Sequence, residues 1–353
     1  YRALAWARAR CMMHPVKRSE AAMKICIFGA GAVAGLAGAR MVRGGVTDIS
    51  FVARGAHLAA MRETGLTVRE PSGEWTVAVD ATDDTAALGV QDMVILGLKA
   101  HTVGAALPQI TPLIGEKTVV VHTVNGIPWW YFHALPGGAR DTTLECVDPD
   151  GLIRRTIGSE KALGCVVYIA CNIPEPGVIE HNRGRASYIF GEPDGSRSAR
   201  AEAVAALFDA AGIEHEITED IRSVVWDKLW GNLTGNPMSL LCGTPCDALA
   251  RDPGVRRVMG QMIAEAHAAA RAGGADVEVD IEGKLDTFER LGPIKTSMLQ
   301  DFEAGKTIEL DALLGVIIEL GKNAGIETPV CDMVYTLTRM KALTAGCYAP
   351  PGG

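Results

Sequence analysis

Aromatic side chains are scarce in this sequence: they make up 5% of 353 residues, whereas glycine alone occurs 40 times. We therefore expect a core of aliphatic side chains and of closely approaching backbone segments. Long apolar runs are also missing, and without the roughly 18–20 apolar residues of a membrane helix we expect no membrane span. The nine cysteines include no Cys-x-x-Cys pair and no cluster with metal-ligand spacing. Their odd number predicts a reducing compartment, by default the cytoplasm, and no metal site.

Clusters of positive charge are missing beyond the first 22 residues, and the net charge is −8. Because an acidic chain repels the phosphate backbone, we expect no nucleic-acid partner. Residues 1–22 are basic and hold no acidic residue before Glu20. That bias is typical of a transit peptide, but such peptides are also usually serine-rich, and Ser19 is the only serine of this segment. We interpret residues 1–22 as an extension outside the fold, with Met23 as the natural start.

The sequence from Met23 onward has the pattern of a nucleotide-binding β-α-β unit. A short apolar run leads into a glycine-rich turn, a helical stretch follows to about Arg43, and a second apolar run covers Ile49 to Val52. The turn comprises Gly29, Ala30, Gly31, Ala32, Val33 and Ala34. In such a unit the glycines allow a tight turn and close approach to a pyrophosphate, toward which the helix N-terminus points its free N–H groups. A purely structural glycine-rich turn is the alternative.

An acidic residue is missing at the end of the second run, where an NAD enzyme usually holds the ribose hydroxyls. The chain reads Val52-Ala53-Arg54-Gly55 there. Arg54 can pair with a 2′-phosphate and stack on adenine, so the predicted cofactor is NADPH. The alternative is a solvated surface arginine.

Two further apolar runs read as buried parallel strands, and each ends in polar residues. Asp92 to Leu98 precedes Lys99, and Thr118 to Val124 precedes Asn125. Ligands of open parallel sheets lie outside the carboxyl ends of the strands, so Lys99 and Asn125 are candidate contacts to a nicotinamide ribose or a substrate. Taken singly, they are equally well a surface lysine and a turn asparagine.

The chain divides by pattern into an α/β half and a helical half. Strand character recurs up to about Phe190, and strand signals vanish after Thr218. The expected fold class is α/β, with an N-terminal Rossmann-type doubly wound sheet followed by an all-α C-terminal domain. The predicted limits are residues 23–217 for the sheet domain, 218–346 for the helical domain and 347–353 for a tail.

Polar side chains recur every four residues early in the helical half, at Lys228, Asn232 and Asn236. Helical geometry stacks them on one face, about 6 Å apart per step. Asparagine is a poor helix former, and its repetition beside glycines favours a binding face over a solvated one. Pro237 should kink or end this helix. Because hydride transfer to a ketone builds charge on oxygen, a lysine on such a face can stabilise that charge and supply the proton.

The order of these motifs resembles the ketopantoate reductase (2-dehydropantoate 2-reductase) family. The pattern Lys-x-x-x-Asn-x-x-x-Asn-Pro at residues 228–237 is followed by Ser-Met-Leu-Gln-Asp at 297–301 and Thr-Ile-Glu-Leu-Asp at 307–311. The glycine-rich turn, Leu98-Lys99-Ala100 and Asn125-Gly126 also occur in the family's order. The likeness spans roughly residues 23–345, and five motifs in sequence are far more specific than any one of them.

The resemblance implies roles for the matching residues. Lys228 would be the general acid that protonates the carbonyl oxygen, and Glu309 would contact the cofactor ribose and help to organise the catalytic site. The substrate would be held by Asn125, Lys228, Asn232, Asn236 and Ser297. NADPH would be contacted by Gly29, Ala30, Gly31, Ala32, Val33, Ala34, Arg54, Lys99, Asn125, Ala170 and Glu309.

Two departures from the family pattern bear on the substrate. The family usually has a further asparagine about ten residues after the second helical one, and Cys246 stands at that position here. The segment after Asn125 is long and carries the aromatic run Trp129 to Phe132. It is either a surface insertion with a hydrophobic anchor or a lid that reshapes the pocket for a bulkier oxo acid.

The predicted activity is NADPH-dependent reduction of a small 2-oxo acid, with 2-dehydropantoate to pantoate in pantothenate biosynthesis as the first choice. The alternatives are a reductase of another, bulkier 2-oxo acid or a related hydroxyacid dehydrogenase, and a non-catalytic NADPH-binding sensor. The joint presence of Lys228, Ser297 and Glu309 argues against the sensor. Fold analogy suggests a homodimer formed through the helical half.

Overall fold

The structure is a computed structural model that describes residues 23–135 and 142–350, apart from the side chains of residues 182, 183 and 185. The sequence-based interpretation of residues 1–22 as an extension, and the last three residues of the predicted tail, lie outside this part. The remainder of that tail is packed: Cys347 is buried, and its carbonyl accepts a hydrogen bond from Ile308 N (2.9 Å).

Ten β-strands of the described chain form one mixed sheet. They are β1 (Ile25–Phe28), β2 (Ile49–Val52), β3 (Leu66–Glu70), β4 (Gly73–Val77), β5 (Asp80–Thr82), β6 (Met93–Leu96), β7 (Val119–His122), β8 (Ala162–Glu175), β9 (Val178–Gly191) and β10 (Glu214–Ile217). Their spatial order is β4-β3-β9-β8-β7-β6-β1-β2-β5, with β10 paired to β9.

The central strands are parallel and fully buried. β1 pairs with β2 and β6, and β6 pairs with β7, all in parallel register. Each residue of these four strands is buried, which explains why they are continuous apolar runs rather than alternating ones. Their carboxyl ends meet at one edge, so the polar residues that follow them in sequence lie near one another.

Helices join the strands in the first half and make up the second. The first half contains α1 (Ala32–Arg43), α2 (Gly55–Thr64), α3 (Thr85–Leu88), α4 (Val103–Ile110), α5 (Leu152–Ile157) and α6 (Ala199–Ala210). The second contains α7 (Ile221–Cys242), α8 (Cys246–Arg251), α9 (Pro253–Ala272), α10 (Ile281–Leu291), α11 (Ser297–Glu303), α12 (Val316–Ala324) and α13 (Pro329–Thr344). A π-helical turn, Asp311–Gly315, precedes α12.

The predicted fold class is confirmed, because a strand sheet with connecting helices is followed by a helical region. The hairpin formed by β3 and β4 was not predicted. Its signal is present in the sequence, since the strand residues Leu66 and Val68 are buried while Thr67 and Arg69 are less so, with a Pro71-Ser72 turn beyond them.

Pro237 does not end its helix, and that expectation is wrong. α7 continues through Pro237 to Cys242. A proline inside a helix costs about 3 kcal/mol, because a hydrogen bond is lost and the ring clashes with the preceding turn. Every residue from Leu233 to Leu240 is buried, so tertiary packing of this segment offsets that cost.

The aromatic run after Asn125 is packed in the core and does not lie on the surface. Trp129, Trp130, Tyr131 and Phe132 are each at most 8% exposed. Trp226 of α7 donates its indole Nε1–H to the hydroxyl of Tyr131 (2.6 Å). The run therefore anchors the first turns of α7, the helix that carries Lys228.

Arg222 ties the same helix to the aromatic run. Its Nε donates to the carbonyl of Tyr131 (2.9 Å), and its guanidinium also donates to the carbonyls of His133 and Pro193. A planar cation with several donors suits three carbonyl acceptors that converge from two segments.

We expect Arg222→Ala to destabilise the protein strongly, because it leaves partly buried carbonyls without their donor. The expected loss in unfolding free energy is about 3 kcal/mol or more. Arg197→Ala is the matched control: Arg197 pairs with Glu202, and both side chains are more than half exposed, so the cost should stay below about 1 kcal/mol. Urea unfolding of the two variants measures this. Equal midpoints would contradict the anchoring role.

Candidate active site

The glycine-rich turn forms an open cradle between β1 and α1. Gly29 has φ of +78°, and a Cβ there would lie 2.8 Å from Leu98 Cδ2. A Cβ on Gly31 would meet no atom closer than 3.9 Å, so the space beside this residue is open. Gly31 is the N-cap of α1, and no side chain caps that helix. The N–H groups of Ala32, Val33 and Ala34 open α1 without intrahelical acceptors, an arrangement that fits a pyrophosphate.

A small residue is required at Ala34 because the backbone after β6 passes close to it. A Cβ on Gly97 would lie 2.5 Å from the Cβ of Ala34 and 2.3 Å from the carbonyl oxygen of Gly29. The turn after β1 and the end of β6 are therefore in backbone contact. This contact places Lys99, two residues after Gly97, beside the cradle.

Arg54 follows β2 as predicted and is the N-cap of α2. Its side chain is exposed and forms no ion pair or hydrogen bond within the described residues. His57, one turn later, was missed by the sequence interpretation. Its Nδ1 accepts from Gly177 N (3.0 Å), so its Nε2 carries the proton and donates to the carbonyl of Ala30 (2.9 Å). His57 thus holds the glycine-rich turn against the β8–β9 connection.

Lys99 links the sheet edge to the helical half. Its Nζ donates to Asp301 Oδ2 (2.8 Å) and to the carbonyl of Thr307 (2.7 Å). The next residue, Ala100, donates its N–H to Glu309 Oε1 (3.1 Å). Burial raises the pKa of Glu309 above its usual value, while Lys99 and the Ala100 N–H act in the opposite direction. Asp301 belongs to the Ser-Met-Leu-Gln-Asp motif, yet the sequence gave no reason to pair it with Lys99.

Lys228 lies on α7 and faces β8. Its Nζ donates to the carbonyl of Val167, and its ammonium sits 5.5 Å from the centre of the Tyr168 ring. Burial lowers the pKa of Lys228 to about 8, against the opposing influence of Cys165 and Glu309. A cleft beside it is lined by Val124, Gly126, Pro128, Cys165, Val166, Val225, Lys228 and Leu229. The structure therefore brings Lys228 to the sheet edge within electrostatic reach of Glu309.

The amide side chains predicted to bind substrate have no hydrogen-bond partner among the described residues. Asn125 follows β7 and is half-buried, while Asn232 and Asn236 follow Lys228 on successive turns of α7. The segment after Asn125 is docked on the π-helical turn, because Ile127 N donates to the carbonyl of Ala312 (3.0 Å). Amides left unpaired beside a lysine suit a polar ligand.

Three other sequence positions are less closely tied to this site. Ser297 is the exposed first residue of α11, and its neighbour Thr296 caps that helix. Ala170 is exposed on β8 at a register shift against β9, and no described side-chain bond connects it to the glycine-rich turn. Cys246 is buried as the first residue of α8, and its N–H donates to the carbonyl of Ile294 (2.9 Å).

The described residues contain no group of three or more His, Cys, Asp or Glu side chains placed to hold a metal ion. Nor does any helix in this part of the chain have the length and apolar character to cross a membrane. A phosphate cradle at the carboxyl edge of a parallel sheet, facing a lysine of lowered pKa on a second, helical half, defines a class of protein: an oxidoreductase of the Rossmann type with a helical second half.

Comparison with known proteins gives the family. A family model described as "Ketopantoate reductase PanE/ApbA" matches residues 25–195, and one described as "Ketopantoate reductase PanE/ApbA C terminal" matches residues 220–342. The chain is 42% identical over 327 residues to the 2-dehydropantoate 2-reductase of Mesorhizobium japonicum, which covers 93% of this chain and all of that protein. The chain belongs to the ketopantoate reductase family and is an oxidoreductase.

Solved structures agree with this assignment. A Ralstonia solanacearum protein, provisionally described as a ketopantoate reductase, is 42% identical, covers 92% of this chain and 99% of its own, and superposes with a TM-score of 0.87. A D-mandelate dehydrogenase solved with NADH and anilino(oxo)acetate is 21% identical, with a TM-score of 0.77 over 92% of this chain and 99% of its own. At that identity the second likeness concerns the fold alone.

Proposed function

We propose that this protein reduces 2-dehydropantoate to pantoate with NADPH. The observation that carries the proposal is Lys228, a partly buried ammonium whose pKa is lowered to about 8, beside Glu309 and next to amides without partners. The family membership and the 42% identical 2-dehydropantoate 2-reductase support the substrate. The place of the reaction in pantothenate biosynthesis is part of the proposal.

The residues of the sheet edge fit a dinucleotide phosphate. The uncapped N-terminus of α1 and the open space at Gly31 would receive the pyrophosphate. Arg54, exposed and without a protein partner, would hold the 2′-phosphate, because an arginine matches phosphate geometry with two donors. Glu309 and Lys99, joined through Ala100 and Asp301, would lie at the nicotinamide ribose. The bound cofactor supplies the hydride.

Lys228 would deliver the proton that completes the reduction. A carbonyl oxygen gains negative charge as the hydride arrives at carbon, and an ammonium held at that oxygen stabilises the charge and then transfers its proton. Burial makes this transfer easier, because the lowered pKa reduces the cost of losing the proton. The Lys228 amine regains a proton from solvent after product leaves.

The carboxylate and hydroxyl of the substrate would be held by Asn232, Asn236, Ser297 and Asn125. Amide N–H groups donate to a carboxylate, and amide carbonyls accept from a hydroxyl. These groups lie on α7, at the start of α11 and after β7. We propose that the cleft between them is the oxo-acid site.

Another 2-oxo acid is the second candidate, and Cys246 is the observation that favours it. A buried thiol replaces the amide that the family usually has there, so one polar contact to the substrate is lost. The aromatic run gives no such support, because it is packed in the core with Trp226.

Lys228→Met tests the activity directly. With 2-dehydropantoate and NADPH we expect kcat to fall about 10³-fold, because the general acid is lost while the side-chain volume is kept. Lys284→Met is the matched control: Lys284 pairs with the neighbouring Asp227 at the surface (2.5 Å) and lies outside the proposed machinery, so kcat should stay within about twofold. NADPH oxidation measures both, beside pyruvate and phenylglyoxylate as competing substrates. Faster turnover of phenylglyoxylate than of 2-dehydropantoate would transfer the proposal to the bulkier acid, and binding of NADPH without turnover of any acid would overturn it.

The pH dependence should report Lys228. Reduction needs the protonated amine, which is present below its pKa of about 8. The rate of reduction should therefore fall about tenfold per pH unit above about 8, and the rate of pantoate oxidation should rise through the same range. This limb should be absent from the residual activity of Lys228→Met. A flat profile from pH about 7 to about 10 in the unchanged protein would argue against a lysine acid.

Arg54→Gln should change the choice of cofactor. We expect KM for NADPH to rise about 10- to 100-fold, because charge-assisted hydrogen bonds to the 2′-phosphate are lost, while KM for NADH stays nearly constant. Arg62→Gln is the control, since Arg62 lies on the same helix and pairs with Asp83 on the exposed surface. Equal effects of Arg54→Gln on both cofactors would contradict recognition of the 2′-phosphate.

A further inference from the structure

The last helix, α13, exposes an unusual amount of apolar surface. Met333, Leu337, Met340 and Leu343 are 53%, 54%, 57% and 42% exposed. The other large apolar side chains exposed to a similar degree in the described chain lie singly on four different segments, at Val90, Leu152, Tyr168 and Leu291. Single exposed apolar residues are normal, but four on one helix form a contiguous patch.

The spacing places these residues on one face. Met333, Leu337 and Met340 stand at positions i, i+4 and i+7, which a helix brings into one stripe, and Leu343 lies on the flank of that stripe. The opposite face of α13 is buried through Cys331, Val334, Thr338 and Ala342. The helix therefore has an inner apolar face that packs on its own chain and an outer one that does not.

α13 is held firmly at both ends, so the outer face is preformed. At its start, the Glu265 carboxylate accepts from the N–H groups of Val330 (3.0 Å) and Cys331 (2.9 Å). Near its end, Lys341 Nζ donates to the carbonyl of Leu240 (2.8 Å). A rigid apolar stripe costs little conformational entropy when a partner covers it.

We propose that the outer face of α13 is the homodimer interface of this protein, with the helices of the two copies packed antiparallel around a two-fold axis. The charges beside the stripe fit this occupant. Asp332 lies near the start of α13 and Arg339 lies seven residues later on the same flank. A two-fold axis turns one helix end over end, so equal flanks face each other and Asp332 approaches the partner's Arg339, twice in each dimer.

The size of the patch is consistent with the centre of a dimer interface. About half of each of four large side chains amounts to roughly 400 Å², the upper range for an apolar patch on a monomer. A stable interface buries about 800 Å² on each partner, with an apolar centre and a polar rim. The four side chains supply the centre, and the neighbouring polar residues, among them Asp332, Thr336 and Thr344, supply part of the rim.

Pairing through α13 would also support the segment that carries Glu309. Tyr335, on the same helix, donates its hydroxyl to Asp311 Oδ1 (2.7 Å), two residues after Glu309. The proposal does not depend on the substrate of the enzyme, because its test is the assembly of the protein and not its activity.

The first test is sedimentation velocity of the full chain over a range of concentrations, with Leu337→Glu as the disrupting variant. We expect a dimer that dissociates at least about 100-fold more readily in the variant, because a charge is placed at the centre of the interface. Leu291→Glu is the matched control, since Leu291 is 47% exposed at the end of α10, and it should leave the dimer intact. A monomeric unchanged protein, or a dimer indifferent to Leu337→Glu, would overturn the proposal.

A charge exchange tests the antiparallel geometry. Asp332→Arg and Arg339→Glu should each weaken the dimer, since each places like charges together, and the double variant should recover it. Oxidation of Met333 and Met340 by hydroxyl radicals provides a second readout, because both should react several times more slowly in the dimer than in the Leu337→Glu monomer. A double variant no better than the single ones would exclude this pairing. Slow oxidation of these methionines in a monomer would show that another part of the chain covers the face.

Discussion

The ammonium of Lys99 is shared between the carboxylate of Asp301 and the carbonyl of Thr307, and the N–H of the next residue binds Glu309. These contacts join the end of β6 to a segment about two hundred residues later in the chain, as the separation of 202 positions between Lys99 and Asp301 shows. They hold the carboxyl edge of the sheet against the helical half. Without them, Glu309 would have no fixed place relative to the glycine-rich turn, and the cleft beside Lys228 would lack one of its two walls.

The second constraint is the burial of Lys228 on a helix that cannot move freely. α7 is anchored before Lys228 by Arg222 and Trp226, which bind the aromatic run, and it stays helical after Lys228 despite Pro237. A lysine on a loosely held helix would move its charge into water and keep its ordinary pKa. Here the ammonium is held at the carbonyl of Val167, where burial lowers its pKa to about 8. Rigid packing and proton chemistry are thus connected through the same helix.

Local patterns in the sequence were informative wherever a single element carries the property. The continuous apolar runs predicted the buried parallel strands, and the position of Arg54 directly after β2 needed only the order of residues. The face of Lys228, Asn232 and Asn236 follows from helical periodicity alone. Pairings between distant elements could not be predicted in this way. Neither Asp301 as the partner of Lys99 nor His57 as the bridge between Ala30 and Gly177 has a local signal, because each depends on how separate elements pack.

The sequence by itself determined the α/β fold class followed by helices, the family, and the residue types that would do the chemistry, because periodicity and motif order are properties of the linear chain. Only the tertiary structure decided that the aromatic run is buried, that α7 passes through Pro237, and that Lys228 is desolvated near Glu309. It also decided that one face of α13 is buried and the other is left exposed. The physical reason is that burial, pKa and the cost of a proline in a helix all depend on neighbours brought together from distant parts of the chain, which a one-dimensional pattern does not specify.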